Sequence, residues 1–305
     1  METAMNRILK NLLLAALGLG LGLSLNALAD DALLKPFVLA SKGAGTVADK
    51  VAAAKTALQA NGFTIAGSYS PYPETTIIVV TNDEMKTTAA KSEHGGFGAA
   101  QRVSVTKVGN DVQVAYTNPT YMANGYRMAG DLPQTSEKLK AALGRVEEFG
   151  AKGLTASKLR KYHYMFGMEY FDEPVILAEY GSHEEALKAV EANLAAGKGG
   201  VSKVYRVDVP GKKESVFGVA MKGGDKYMDD NYIMGIIDFN ELKGAAHLPH
   251  EMLVTGNKVI ALYARFRIAL NYPDLKMAGA NSFMKIMESP EAIRKAMVEA
   301  AGGKE

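Results

Sequence analysis

The chain of 305 residues contains no cysteine. That absence excludes disulfides, iron–sulfur clusters, c-type haem attachment, thiol catalysis and a lipid anchor on an N-terminal cysteine. A chain of this length can bury cores that are stable without cross-links. There is no long apolar run beyond the first thirty residues, so no membrane insertion is expected past that point. Charge of one sign is also missing: 35 basic side chains stand against 33 acidic ones, with no basic block. Nucleic acid is therefore not an expected partner. G-x-S-x-G, S-x-x-K and H-E-x-x-H motifs are absent, and no P-loop lysine follows the glycines of "HGGFG" (94–98). The sequence is read as a non-enzymatic binding module, with an enzyme of unrecognised type as an alternative, and no cofactor is expected, the alternative being copper.

What is present begins with a leader. Arg7 and Lys10 precede "NLLLAALGLGLGLSL", and the small residues Ala27 and Ala29 close it. This is the pattern of a cleavable secretory signal over residues 1–29, cut after Ala29, and it implies a periplasmic or secreted protein.

The remainder says the same thing twice. "VGNDVQVAY" (108–116) and "TGNKVIALY" (255–263) share Gly-Asn-x-Val-x-x-x-Tyr. Upstream, Thr46, Asp49, Val51, Ala54 and Leu58 match Ser182, Glu185, Leu187, Val190 and Leu194, all 136 residues apart. In each set a hydroxyl caps a helix, an acidic residue follows three positions later, and apolar residues line one face. Asn61-Gly62 and Gly197 supply the stops.

Strand-like runs follow each helix: "FTIAGSYS" and "ETTIIVVTN" in one copy, "VSKVYRVDVP" and "SVFGVAMKG" in the other, which adds "NYIMGIIDF". A short helix is expected at 83–92 and again at 240–246. Hairpins at 100–116 and 250–266 then turn at Gly-Asn, residues that tolerate positive φ. Closing helices are expected over 134–150 and 289–301, the second capped by Ser289 with Pro290 at its first position. "HYMFGMEYF" (163–171) and "PVILAEYG" (174–181) are read as opening the second unit.

These elements make an α+β protein of two tandem β-α-β(4)-α-like repeats, with antiparallel sheets and helices on one face. The repeats are placed at 30–150 and 160–305, packed as an intramolecular pseudo-dimer. Gln113 in "DVQVAY" predicts a wetter face for the first hairpin, whereas "KVIALYARF" predicts cover on both faces of the second.

A helix ending in "NGF", a strand, a short helix and then "RVSVTKVGNDVQVAYTNPTYM" resembles the family called domain of unknown function 302. Asn118, Pro119 and Met122 fit its Asp/Asn-Pro-then-apolar ending, and "HLPHEMLVTGNKVIALY" is similar to the same part of a second unit. The resemblance implies a fold similar to half of the TATA-box-binding protein, with two units imitating the whole saddle. It implies no activity and no catalytic residues.

Two sets of residues could bind something. Tyr116, Tyr121, Met122 and Tyr126 follow the first hairpin, and Tyr263, Phe266 and Tyr272 follow the second. Aromatics with polar tips suit recognition of a small molecule or an envelope protein, and equally suit contact between the copies. The alternative is metal. His163 and Met165, with the His247/His250 pair of "HLPH", offer imidazole and thioether ligands to copper. Most other methionines, including those of "FMKIM" and "EMLV", read as core fillers. Asp225, Asp229 and Asp230 lack calcium-loop spacing and read as a solvated turn.

Overall fold

The computed structural model describes residues 32–304. The expected signal sequence and its expected cleavage point lie outside the described residues. No helix among the described residues is long and apolar enough to cross a membrane.

The protein is α+β, with two antiparallel sheets. In the first half, β1 (Phe37–Gly43), α1 (Val47–Ala60), β2 (Thr64–Tyr69), β3 (Thr75–Thr81) and α2 (Asp83–Ala90) precede the hairpin β4 (Gln101–Val108) and β5 (Asp111–Thr117). Helices α3 (Pro119–Gly125) and α4 (Pro133–Leu143) and a short strand β6 (Glu147–Phe149) complete it. A one-turn helix, α5 (Ala156–Leu159), lies in the connection. The second half runs β7 (Val175–Glu179), α6 (His183–Ala195), β8 (Val201–Asp208), β9 (Glu214–Met221), α7 (Asp230–Ile237), β10 (His250–Thr255), β11 (Lys258–Ala261), α8 (Ala264–Asn271) and α9 (Ser289–Ala301).

The sheet orders are β2-β3-β4-β5-β1-β6 and β7-β11-β10-β9-β8. Without β6, the first order is the second one read in reverse with matching elements. The irregularities match too. Single-residue bulges fall at Ala66 in β2 and Val204 in β8, and at Ala40 in β1 and Leu177 in β7.

Local chemistry explains most elements. Thr46 Oγ1 accepts from Asp49 N at 3.1 Å, and Ser182 Oγ accepts from Glu185 N at 3.1 Å. These bonds satisfy backbone donors that a helix start leaves open. Both hairpins turn on two residues, with positive φ only at the glycines, +60° at Gly109 and +55° at Gly256. Glycine alone at the first corner position is the pattern of a II′ turn, so Asn110 and Asn257 need no left-handed backbone.

Several expectations need correction. "NYIMGIIDF" is not a strand. It forms α7, because Asp229 Oδ1 accepts from Tyr232 N at 3.0 Å and Ile233, Met234 and Ile237 fall on one buried face. The segment 240–246 expected to be that helix is instead a loop into a 3₁₀ turn, Ala245–His247. "RVEEF" leaves α4 at Gly144 (φ +95°) and forms β6 against β1. "YARF" ends the second hairpin early and starts α8, while "HYMFGMEYF" holds no strand. Ser289 is the first residue of α9 and makes no side-chain cap.

The outer face of each sheet carries helices, α1 and α4 on the first, α6 and α9 on the second. Each inner face meets the other half. The 3₁₀ turn Ala245–His247 packs on β4 and β5, and its counterpart Gly95–Gly98 packs on β9 and β10. Gly95–Gly98 of "HGGFG" are therefore buried at the contact between the halves. Edge strands β2 and β8 touch as well: a Cβ at Gly67 would lie 2.3 Å from the Val204 carbonyl oxygen. One apolar core runs through both halves, and each fully buried Val, Leu or Ile in it contributes about 1.5–3 kcal/mol.

Candidate functional site

The face expected to be wetter is buried. Arg102, Ser104 and Thr106 alternate along β4, and Gln113 and Thr117 join them from β5, all shielded from solvent. Period-two alternation was correct, but the polar face binds the second half instead of water. Gln113 Nε2 donates to Glu241 O at 2.9 Å, and Lys243 N donates to Gln113 Oε1 at 3.0 Å. From the other side, Glu214 Oε2 accepts from Gly96 N at 3.1 Å.

At the middle of this seam lies a cluster of charge. Arg102 of β4 pairs with Glu251 of β10, and both are fully buried. Arg267 of α8 approaches the same carboxylate at 3.8 Å, and the Tyr205 hydroxyl donates to it. Tyr205 reaches it by lying across Gly218, where any Cβ would meet the ring at 1.9 Å. Arg267 Nη2 also donates to the carbonyls of His247 and Pro249, each at 3.0 Å.

The paired histidines belong to this cluster. Their rings stand perpendicular, 5.5 Å apart, and Arg267 Nη1 is 3.2 Å from His250 Nδ1. Burial, then the Arg267 charge, holds both imidazoles well below their ordinary pKa. The guanidinium that opposes a proton there opposes a metal cation too. His163 is placed elsewhere, its ring tilted against Tyr170 at 4.4 Å and its Nδ1 2.9 Å from the Met165 carbonyl. Among the described residues no group of three or more His, Cys, Asp or Glu is arranged to hold a metal.

The aromatic candidates divide in the same way. Tyr116, Tyr121, Met122, Tyr126, Phe266 and Tyr272 are buried, and only Tyr263 is part-exposed. Tyr116 turns outward to donate to Gly144 O at 3.2 Å. Tyr121 crosses the seam to Leu270 O at 2.7 Å. Tyr126 stacks 5.7 Å from Phe171, which lies 6.4 Å from Phe266. Tyr272 packs 5.9 Å from Phe37 and donates to Gly244 O at 3.0 Å. Tyr263 sits under Arg265, 4.7 Å away. Tyr121 and Tyr272 make contacts between the halves, whereas Tyr116 packs within its own.

Accessible concavities lie at the rim of the seam and, about 560 Å³ in volume, around Lys158, Tyr162, His163 and Pro273. A cleft of about 730 Å³ is walled by α1 (Val47, Val51) and the turn Pro71–Glu74 of the first half, and by Lys222, Asp229 and Asn231 of the second. A second cleft of about 310 Å³ shares Tyr72, Pro73, Glu74, Thr75 and Asn231 with it, then continues to Met234, Asp238 and Phe239. The turn between them is held in a strained form, with Glu74 at φ +56°. Non-glycine residues in that region carry of order 1–3 kcal/mol of strain. Lys107 ties the turn down, donating N–H to Glu74 O at 3.0 Å and placing Nζ 3.4 Å from its carboxylate.

Beneath this groove two aspartates have raised pKa values. Burial pushes Asp230 up to about 7, although Met221 N donates to it and Tyr69 Oη lies 3.4 Å away. Burial likewise pushes Asp238 up to about 6, with Gly244 N donating to it at 2.8 Å. Asp229 and Asp230 are thus a helix cap and a buried acid, not a solvated turn. Nothing local in the sequence marks Tyr72, Asn231 or Asp238 as neighbours. The "PYPE" turn, proline on both sides of a tyrosine, was the one visible sign.

No family model, no curated protein and no solved structure matches this chain.

Proposed function

We propose that the protein is an exported, non-enzymatic binding protein of the cell envelope, made of two copies of one unit packed as an intramolecular pseudo-dimer. It takes a small organic molecule into the groove at the rim of the seam. The observation that carries this reading is that both halves wall the groove, so a ligand there touches both at once. Clefts between packed units, apolar with a few fixed polar groups, are common ligand sites. Val47, Val51, Pro71, Pro73 and Tyr72 offer an apolar bed; Lys222, Asp229 and Asn231 offer polar contacts at one end. An amphiphilic molecule with an apolar body and a polar end fits that distribution. Asp229 accepts from Tyr232 N, Asp238 from Gly244 N and Asp230 from Met221 N, structural bonds that support binding over acid–base catalysis.

The chain has no tryptophan, so Tyr72→Trp would give a single fluorescent reporter in the groove. Protein purified from an envelope fraction is expected to carry an organic adduct in native mass spectrometry. Rebinding that compound should shift the Trp emission, and Val51→Asp should abolish the shift. No adduct and no emission change with envelope extract would sink the proposal. Export is tested separately, by an N-terminus at Asp30 in the secreted protein.

A further inference from the structure

Methionine is used in two ways in this protein. Met85, Met122, Met221, Met252 and Met297 fill the core, as an apolar, flexible side chain should. Met277, Met284 and Met287 do the opposite. They are 36 %, 59 % and 62 % exposed, all within one loop between α8 and α9. This overturns the expectation that "FMKIM" belongs to the core; only its Ile286 does.

The backbone brings two of them together and sets the third one turn on. Phe283 N donates to Lys276 O at 2.9 Å and Met284 N donates to Met277 O at 3.0 Å, so residues 277 and 284 lie side by side. Residues Phe283–Ile286 form a 3₁₀ turn that continues into a helical Met287. In such a turn side chains three apart eclipse each other, which stacks Met284 and Met287 on one side. The loop is anchored before any ligand arrives: Ile286 is buried, Tyr232 Oη donates to Lys285 O at 3.3 Å, and Ser282 Oγ donates to Gly279 O at 2.9 Å.

We propose that Met277, Met284 and Met287 form a three-thioether site for a soft monovalent cation, Cu(I). Thioether sulfur is a soft, neutral donor and selects Cu(I) over hard or borderline divalent ions. The set contributes no negative charge, and Lys276 and Lys285 flank it with only Glu288 adjacent in sequence to offset them. That balance disfavours a divalent ion further. Thioethers carry no proton to displace, so binding is independent of pH where an imidazole site would weaken in acid. The site is separate from the seam groove and from the buried His247/His250 pair.

The test uses the purified protein with Ag(I), a redox-inert d¹⁰ probe, and Cu(I) held reduced, read by native mass spectrometry. One bound ion is expected, equally at pH about 5.5 and about 7.5, values on either side of the histidine pKa. Met277→Leu/Met284→Leu/Met287→Leu should lose that ion with its circular dichroism and Tm unchanged, while His163→Ala should keep it. Bound Ag(I) should also protect Met284 and Met287 from peroxide, read as sulfoxide mass on their peptide. Failure of the wild-type protein to bind, full binding by the triple leucine variant, or loss of the ion in acid overturns the proposal.

Discussion

On the inner side, β4 of the first half carries Arg102, Ser104 and Thr106, where its counterpart β10 of the second carries Glu251 and Leu253. The strand order is shared, the chemistry is not. A surface that packs on an identical copy must complement itself, which sets like charges near each other at the dyad. Two halves in one chain are free of that condition. Here a guanidinium from one meets a carboxylate from the other, and a second guanidinium, Arg267, completes the cluster from α8. Such an ion cluster need not exceed an apolar core in stability, but it admits one docking geometry and penalises shifted ones.

The sharpest way to break this comparison is Glu251→Gln, which leaves two buried guanidiniums without a counter-charge. We expect a loss of ~3–5 kcal/mol in urea unfolding. An apolar replacement of all three charges, Arg102→Met/Glu251→Leu/Arg267→Met, should recover much of it. A loss under about 1 kcal/mol for Glu251→Gln would show that the cluster does not hold the halves together.

Next in size is the pH dependence. The folded pKa of Asp230 is raised from 3.8 to about 7 by burial, so its contribution is fully present below pH 3.8 and is lost as pH rises towards 7. The span is worth ~4 kcal/mol. Asp238, raised to about 6, acts in the same direction. His247 and His250 act oppositely: their folded pKa values lie below 6.5, so their contribution is present above pH 6.5 and falls in acid. Asp230→Asn should therefore raise Tm at pH about 8 and leave it unchanged at pH about 3. An equal shift at both would mean that Asp230 does not ionise in this range.

Gly218→Ala should cost ~1–3 kcal/mol, because its Cβ would meet the Tyr205 ring and push that hydroxyl off Glu251. Gln113→Ala, which strands Glu241 O and Lys243 N at the seam, should cost ~1–2 kcal/mol. Chemical denaturation reads both. If Gln113→Ala were neutral, the first half's polar face would be an incidental contact.

How much of this was legible varied with the range of the interaction that decides it. Both long helices, their caps and both glycine turns were readable, because each depends on residues within a few positions. α7 was misread because Ile-Met-Gly-Ile-Ile carries strand propensity, while its start depends on Asp229 and its face on packing. β6 was missed because three residues hold too little pattern. The candidate site was less legible still. His247 and His250 read as candidate ligands in the sequence, and Arg267, whose guanidinium lies against that pair, is 17 residues beyond His250. Five of the six aromatic candidates, and Met122 beside them, are buried, because the groups they meet belong mostly to distant parts of the chain.

By itself the sequence determined the repeating order of strands and helices and the places where the chain turns. Periods of 2 and 3.6, hydroxyl caps and glycine corners act over a few residues and need no partner. Only the tertiary structure decided which polar face is dry, which aromatics are hidden and which methionines are bare. Burial is a property of what lies opposite. For Arg102 that is Glu251, for Gly67 it is Val204, and for Gln113 it is Glu241, each more than a hundred residues away along the chain.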